Sequence, residues 1–535
     1  MGKSTVIEPN VKHRRQRRIV ALMLLAGACI SAGSGCGFQR TSSDLGKIYN
    51  HEAQAPDTLR NPVILIPGIL GSRLVDGESG RGVWGSLSSR DANPRSPEGA
   101  RLMALPMAEG VPLSALHDGV RSDGPLDRVP VRIVGFIPVR VKAYSRILST
   151  LGVGGYRTAA GRSRRNVDYG NEHFTCFQFD YDWRRDIAEN ARRLHEFIVE
   201  REAYVKTEMR KRYGIEQTAV KFDIVAHSMG GLLTRYYLRY GPQPLPDDGS
   251  LPKLSWAGSK YVERAILVAP PNAGAAGAFE DLIKGSREAP FLPRYAPAIV
   301  GTMPAAYQLL PRPRHAAVVG KRQHADRLDL YDPELWERMG WGLASPKQDN
   351  VLKMLLPRVS DRESRLRIAL DHQRKCLSRA RAFHAAIDRP ASPPPGLSLY
   401  LFAGDAIRTD ATVAVDRETG RISVIEKHPG DGTVTRASAL MDERVGNPVQ
   451  ARLVSPIHWT GVTFLLTDHL GLTKDPIFTD NLLALLLESP SSDSWGPPAG
   501  RTDNREFDLP DHGVTPTHRI PDRLPIAGRQ QEKPR

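Results

Sequence analysis

Along most of the chain, apolar residues gather into short runs separated by longer amphipathic or polar stretches. Val63-Ile64-Leu65-Ile66 is such a run, ended by Pro67-Gly68, the pattern of a buried strand entering a turn. Similar runs recur at 174–179, 220–225, 265–268, 397–402 and 462–466. Helical stretches at 186–212 and 231–240 separate several of them. Strands alternating with helices predict an α/β fold built on a mainly parallel sheet. Two long segments, 75–170 and 273–395, are rich in Pro, Gly and Arg and add no defensible strand to that sheet. They read as cap or lid insertions in one domain spanning 61–489. The run Arg389-Pro390-Ala391-Ser392-Pro393-Pro394-Pro395-Gly396 closes the second insertion as a stiff linker. Residues 37–60 read as a polar tether. Residues 490–535, with 8 prolines in 46 positions, predict a disordered tail.

Composition narrows the class. With 40% hydrophobic and 25% charged residues, the chain is neither a polytopic membrane protein nor wholly disordered. Four cysteines exclude a disulfide-dense scaffold and any Cys-rich zinc module. The net charge of +15 suggests nucleic acid until it is located. The first 36 residues hold 6 Lys/Arg and 1 acidic residue, and the remaining +10 is spread out with no basic tract interleaved with aromatics. A DNA or RNA partner is therefore not expected.

Those first 36 residues read as an export signal. His13-Arg14-Arg15-Gln16-Arg17-Arg18 is a basic segment, and Ile19 to Ile30 is an apolar run too short to span a bilayer comfortably. Ser31-Ala32-Gly33-Ser34-Gly35-Cys36 resembles the lipobox of bacterial lipoproteins, in which the Cys is acylated. Gly33 stands where a larger apolar residue is usual, and Cys29, behind Leu25-Ala26-Gly27-Ala28, is a second candidate. The paired arginines do not sit in a good twin-arginine context. The expectation is an exported chain, lipid-anchored at Cys36 in a bacterial cell envelope. Cys176 and Cys376 read as buried free thiols rather than a disulfide.

The sharpest chemical motif is Phe222-Asp223-Ile224-Val225-Ala226-His227-Ser228-Met229-Gly230-Gly231-Leu232. An apolar strand runs into a Ser flanked by small residues, and a helix follows. That is a nucleophile elbow in the form Ala-x-Ser-x-Gly, with Ala226 adding one methyl to the usual Gly. The turn lifts the Ser228 hydroxyl above the sheet and points the Met229 N–H at a developing oxyanion. The glycines of Pro67-Gly68-Ile69-Leu70-Gly71-Ser72 allow close approach to a substrate carbonyl, so the Ile69 N–H is the second donor.

In this fold the partners follow in the order Ser, acid, His. Thr467-Asp468-His469-Leu470-Gly471-Leu472 follows the last apolar strand and precedes a helix from about 475 to 487, which makes His469 the general base. His458 and His227 read as structural, with His227 pointing away from the nucleophile. Two acids compete. Asp405 follows a strand directly, and Asp431 sits in the polar turn Pro429-Gly430-Asp431-Gly432-Thr433-Val434. Between them, 412–415 and 421–425 flank a turn and predict a β-hairpin. The residues alone leave Asp405 and Asp431 equally placed.

Five segments in order resemble the lecithin:cholesterol acyltransferase family, which includes lysosomal phospholipase A2. They are Asn61 to Leu74, Asp180-Tyr181-Asp182-Trp183-Arg184, the elbow Ala226 to Gly231, Met303 to Pro311, and Gly430-Asp431-Gly432-Thr433-Val434. The resemblance spans roughly 61–485 and implies an α/β-hydrolase in which Asp431 is the acid and Ile69 helps form the oxyanion hole. The chain lacks the paired lid cysteines of animal members, so acceptor choice does not carry over.

The expected protein is a serine-dependent acyl-ester hydrolase or O-acyltransferase acting on phospholipid or neutral acyl ester through an acyl-Ser228 intermediate. Its triad is Ser228, Asp431 and His469, with Ile69 and Met229 as oxyanion donors. Its partners are a lipid substrate, a lipid alcohol as possible acceptor and a membrane surface. No cofactor is expected, and neither a calcium loop nor a zinc pattern is present. A small-ester or amide hydrolase and a non-catalytic lipid-binding envelope protein are the alternative readings.

Overall fold

The computed structural model describes residues 43–49, 60–85, 92–126, 129–132, 138–141, 144–156, 174–216, 219–286, 294–321, 327–442 and 455–488. The signal segment with Cys29 and Cys36, most of the 37–60 tether and the 490–535 tail lie outside the described residues.

All six apolar runs are strands of one parallel sheet: β1 (Val63–Ile66), β2 (Cys176–Gln178), β3 (Phe222–His227), β4 (Val262–Val268), β5 (Ser398–Gly404) and β6 (Gly461–Leu465), in the order β6-β5-β4-β3-β1-β2. The central strands are buried on both faces and apolar in their middles, as at Ile224-Val225-Ala226 and Ala265-Ile266-Leu267-Val268, while the charges near their starts are paired, Arg264 Nη2 lying 2.9 Å from Asp223 Oδ2. Val63 and Leu65 join a core with Ile147, Leu151, Phe478 and Leu482. Those residues come from helices α1 (Ser145–Val153) and, near the C-terminus, Pro476–Leu483. Ile66, one position on, faces the opposite side, where a Cβ on Gly230 would lie 3.0 Å from its Cγ2. Helices α2 (Ile187–Tyr213) and α3 (Met229–Tyr240) cover that side, and α4 (Arg362–Asp388) packs on α3. Asp186 caps α2 through Ala188 N–H, and Gly214 ends it in a left-handed conformation.

The insertions contribute no strand to this sheet, but they are not strandless. In the first, Ser72–Asp76 pairs antiparallel with Gly82–Trp84 and Val120–Pro125, and Val129–Arg132 pairs with Pro138–Val141. In the second, Val318–Gly320 runs beside the hairpin strand Ile407–Val415. These strands are three to six residues long, and the pairings of Ser72–Asp76 are also bulged, so alternation is too brief to register in sequence. The hairpin itself is longer than its sequence signal, pairing Ile407–Val415 with Ile422–Gly430. The C-terminal helix is shorter: Pro476–Leu483, continued by a π-turn at Ala484–Glu488. Cys176 and Cys376 are buried free thiols, as expected.

Arg184, fully buried, ties the first insertion to the sheet. Its Nη2 lies 2.7 Å from Asp182 Oδ2 and 2.8 Å from Asp118 Oδ2, while Nη1 donates to the carbonyls of Leu102 and Met103 at 2.9 and 3.3 Å. Removing one partner of such a pair strands the other charge without solvent. Arg184→Ala is therefore expected to lower stability by about 3–5 kcal/mol, read as a lower denaturant midpoint. Retention of the wild-type midpoint would deny the bridge its bracing role.

Candidate active site

The site forms where β3 ends. Ser228 takes φ 54° and ψ −125°, a region an L-residue enters only under constraint. Its N–H donates to Val268 O at 2.8 Å, and its carbonyl accepts from Gly231 N–H at 2.9 Å, so strand and helix both grip the turn. Crowding explains the small neighbours. A Cβ on Gly68 would fall 2.7 Å from Ser228 Cβ, and one on Gly230 would fall 2.5 Å from Pro67 O. Ala226 keeps its methyl because it is packed in the sheet between Ile66 and Leu267, away from that contact.

Ser228 Oγ lies 3.0 Å from His469 Nε2, and His469 Nδ1 lies 2.8 Å from Asp431 Oδ2. The His469 N–H also donates to the Asp431 carbonyl at 3.0 Å, tying the two residues through main chain as well. The second carboxylate oxygen of Asp431 accepts from Thr433 and Val434 N–H at 2.9 and 2.7 Å. Burial raises the Asp431 carboxyl. His469 and these two N–H groups outweigh that and hold it below the usual carboxylate range. The Gly-Asp-Gly-Thr-Val turn thus has a physical purpose: it wraps donors around an anion that is almost fully buried.

Asp405 is engaged elsewhere. Its Oδ2 pairs with Arg436 Nη1 at 2.6 Å, and that guanidinium lies 3.7 Å over the Phe464 ring. The hairpin explains the choice: its second strand runs to Gly430 and delivers Asp431 beside the His469 loop. His458 is exposed, 3.5 Å from Ser392 Oγ. Both ring nitrogens of His227 are turned to groups other than Ser228: Nε2 lies 3.1 Å from the His469 carbonyl and Nδ1 3.1 Å from the Tyr144 hydroxyl. Nothing in the sequence pattern singled out Tyr144, which lies in the loosely patterned first insertion.

The loop after β1 is held by tertiary bonds. Tyr181 Oη donates to Pro67 O at 2.8 Å, Trp84 Nε1 to Leu70 O at 2.8 Å and Gly68 N–H to Tyr144 Oη at 2.9 Å. Among the described residues, the N–H groups of Ile69 and Met229 are engaged by no other protein group, which leaves both for a ligand. Ile69 and Ser228 open on a cavity of about 330 Å³. Its walls are mainly apolar, with Met103, Val300, Met303 and Leu309 from the insertions, Trp183 from the segment after β2 and Val434 from the turn that holds Asp431. This is the size of pocket that takes a small organic ligand or one arm of a larger one.

Residues 164–335 match the family model described as lecithin:cholesterol acyltransferase, so the resemblance seen in short motifs holds across the segment containing the elbow. Asp431 and His469 lie beyond it. No curated protein sequence matches the chain. Among solved structures, a chain of the Tle4-Tli4 complex aligns with 80% of this chain and 98% of its own length, at 17% identity and TM-score 0.50. That likeness shows the α/β-hydrolase fold. The Bacillus licheniformis lipase BlEst2 in its propeptide form aligns over 83% of this chain and 54% of its own, at 11% identity and TM-score 0.29. The phospholipase PlaB from Legionella pneumophila aligns over 66% and 58%, at 13% identity and TM-score 0.27.

The two acids separate cleanly by substitution. Asp431→Asn is expected to lower kcat for ester hydrolysis by about 10⁴-fold, because the amide no longer fixes the imidazole tautomer. Asp405→Asn is expected to leave kcat within about threefold, since its partner is Arg436. Steady-state kinetics on one soluble ester checks both, and a reversed ranking would exchange the assignments.

Proposed function

We propose, starting from a lecithin:cholesterol acyltransferase-like α/β-hydrolase, that the protein cleaves lipid acyl esters and passes the acyl group through Ser228 to water or to a lipid alcohol. The observation that carries this reading is the hydrogen-bonded line Asp431–His469–Ser228 opening on an apolar cavity. His469 Nε2 takes the proton from Ser228 Oγ as that oxygen attacks the ester carbonyl. Negative charge developing on the carbonyl oxygen is met by the Ile69 and Met229 N–H groups, a term typically worth about 10²–10³ in turnover per donor. Asp431 holds the Nδ1–H tautomer and stabilises the imidazolium. When the tetrahedral intermediate collapses, the imidazolium returns its proton to the leaving alcohol, and an acyl-Ser228 ester remains. A second nucleophile, deprotonated by the same imidazole, releases the acyl group.

The apolar lining favours an acyl chain over a peptide or sugar. The export reading of residues 1–36 would set the reaction at a bacterial envelope membrane, with the chain anchored through Cys36.

Product analysis tests the reading. The full chain and its Ser228→Ala variant are incubated with phosphatidylcholine or diacylglycerol vesicles containing a long-chain alcohol, and products are identified by mass spectrometry. The wild type is expected to yield fatty acid or the new ester, and Ser228→Ala at least about 10³-fold less. Ester in excess over acid identifies a transferase; acid alone identifies a lipase or phospholipase. Full activity in Ser228→Ala would sink the proposal.

A further inference from the structure

Gly68 and His469 belong to loops on two sides of the nucleophile, and a chain of polar groups joins them. The Gly68 N–H donates to the Tyr144 hydroxyl oxygen at 2.9 Å. That hydroxyl lies 3.1 Å from His227 Nδ1, and His227 Nε2 lies 3.1 Å from the His469 carbonyl oxygen. Donor chemistry fixes where the hydrogens sit. A carbonyl only accepts, so His227 Nε2 carries the hydrogen. In a neutral imidazole Nδ1 is then the acceptor, which obliges the Tyr144 O–H to donate to it, leaving the phenolic oxygen to accept from Gly68. One arrangement satisfies every group, and it runs in one direction from Gly68 to His469.

Tyr144 and His227 are both buried, and their rings meet edge-on with centroids 5.7 Å apart. Burial, and then the neighbouring His469, push His227 down to about 3, so it stays neutral and keeps this tautomer across ordinary pH. A bland reading exists: a buried histidine must find partners somewhere. The two ends of the chain argue for more. Gly68 immediately precedes Ile69, which lines the cavity and whose N–H has no bond to another protein group among the described residues. His469 is the base itself, and its main chain is clamped between His227 on its carbonyl and Asp431 on its N–H.

We infer that Tyr144 and His227 are positioning residues that hold the oxyanion loop and the base loop in register about Ser228. The inference rests on the serine-hydrolase reading and extends it to a residue of the cap insertion. Tyr144 is the N-cap residue of α1, whose Ile147 and Leu151 are buried against the sheet. The geometry of the oxyanion hole therefore depends on the seating of a cap helix.

Tyr144→Phe removes only the hydroxyl. His227→Gln keeps an N–H donor toward the His469 carbonyl but loses the ring acceptor for Tyr144. Both, and the double variant, are compared with wild type on a soluble p-nitrophenyl ester, with active sites counted by fluorophosphonate titration. Tyr144→Phe is expected to lower kcat by about 10- to 100-fold, the scale of a small misplacement at a reacting centre, with KM held within about twofold. Inhibition by a trifluoromethyl ketone, which forms an oxyanion on Ser228, should weaken by the same factor. The double variant should be no slower than the slower single variant, because both break one chain. If Tyr144→Phe does not fold, His227→Gln bears the same kinetic and inhibitor readouts alone. Unchanged kcat per titrated site, a change confined to KM, or fully additive losses would overturn the inference. A wild-type chain that neither turns over ester nor reacts with fluorophosphonate would instead remove the serine-hydrolase reading on which it rests.

Discussion

The structure depends first on the backbone of Ser228. At φ 54° this residue sits where an L-side chain is strained by about 1–3 kcal/mol, and it stays there only because its surroundings leave no alternative. The strand behind it is hydrogen-bonded to β1 and β4, the helix ahead begins at once, and Pro67 and Gly68 press against the turn. Relaxing the turn would withdraw Oγ from the imidazole and swing the first N–H of α3 away from the substrate carbonyl. The glycines at 68 and 230 are consequences of that single constraint.

The remaining parts of the site are hung on different elements, and each is held by hydrogen bonds of its own. Asp431 rides on the end of a long hairpin and is wrapped by two N–H donors of its own turn. His469 sits on the loop after β6 and is held through side chain and main chain together. The loop after β1 is pinned by Tyr181, Trp84 and Tyr144, two of which come from the first insertion. The insertions thus do more than roof the cavity: they supply its apolar walls and help fix the shape of its floor.

Much of this was legible in sequence, for identifiable reasons. The sheet strands announced themselves through short apolar runs such as Val63–Ile66 and Ala265–Val268, which lie mid-sheet and are buried on both faces. The elbow was legible because its steric demand falls on consecutive residues. Asp405 and Asp431 were indistinguishable on local grounds, since both follow strands in polar turns. Their separation depends on where a hairpin ends, a matter of long-range pairing. The short bulged strands of the insertions carried no periodic signal. Tyr144 and the engaged role of His227 were hidden for a related reason: their partners lie 76 and 242 residues away in the chain. Local pattern reports burial and turn sterics; it does not report which buried groups meet.

The most direct test of the account is whether Ser228 carries the acyl group during turnover. The full chain is mixed with an activated long-chain ester, quenched in acid within milliseconds to seconds, digested and analysed by mass spectrometry. The account predicts one acyl adduct, on Ser228, that appears before product and is discharged faster when a long-chain alcohol is present. Turnover with no adduct on Ser228 at any quench time, or an adduct on another residue that forms and decays at the rate of product release, would contradict it.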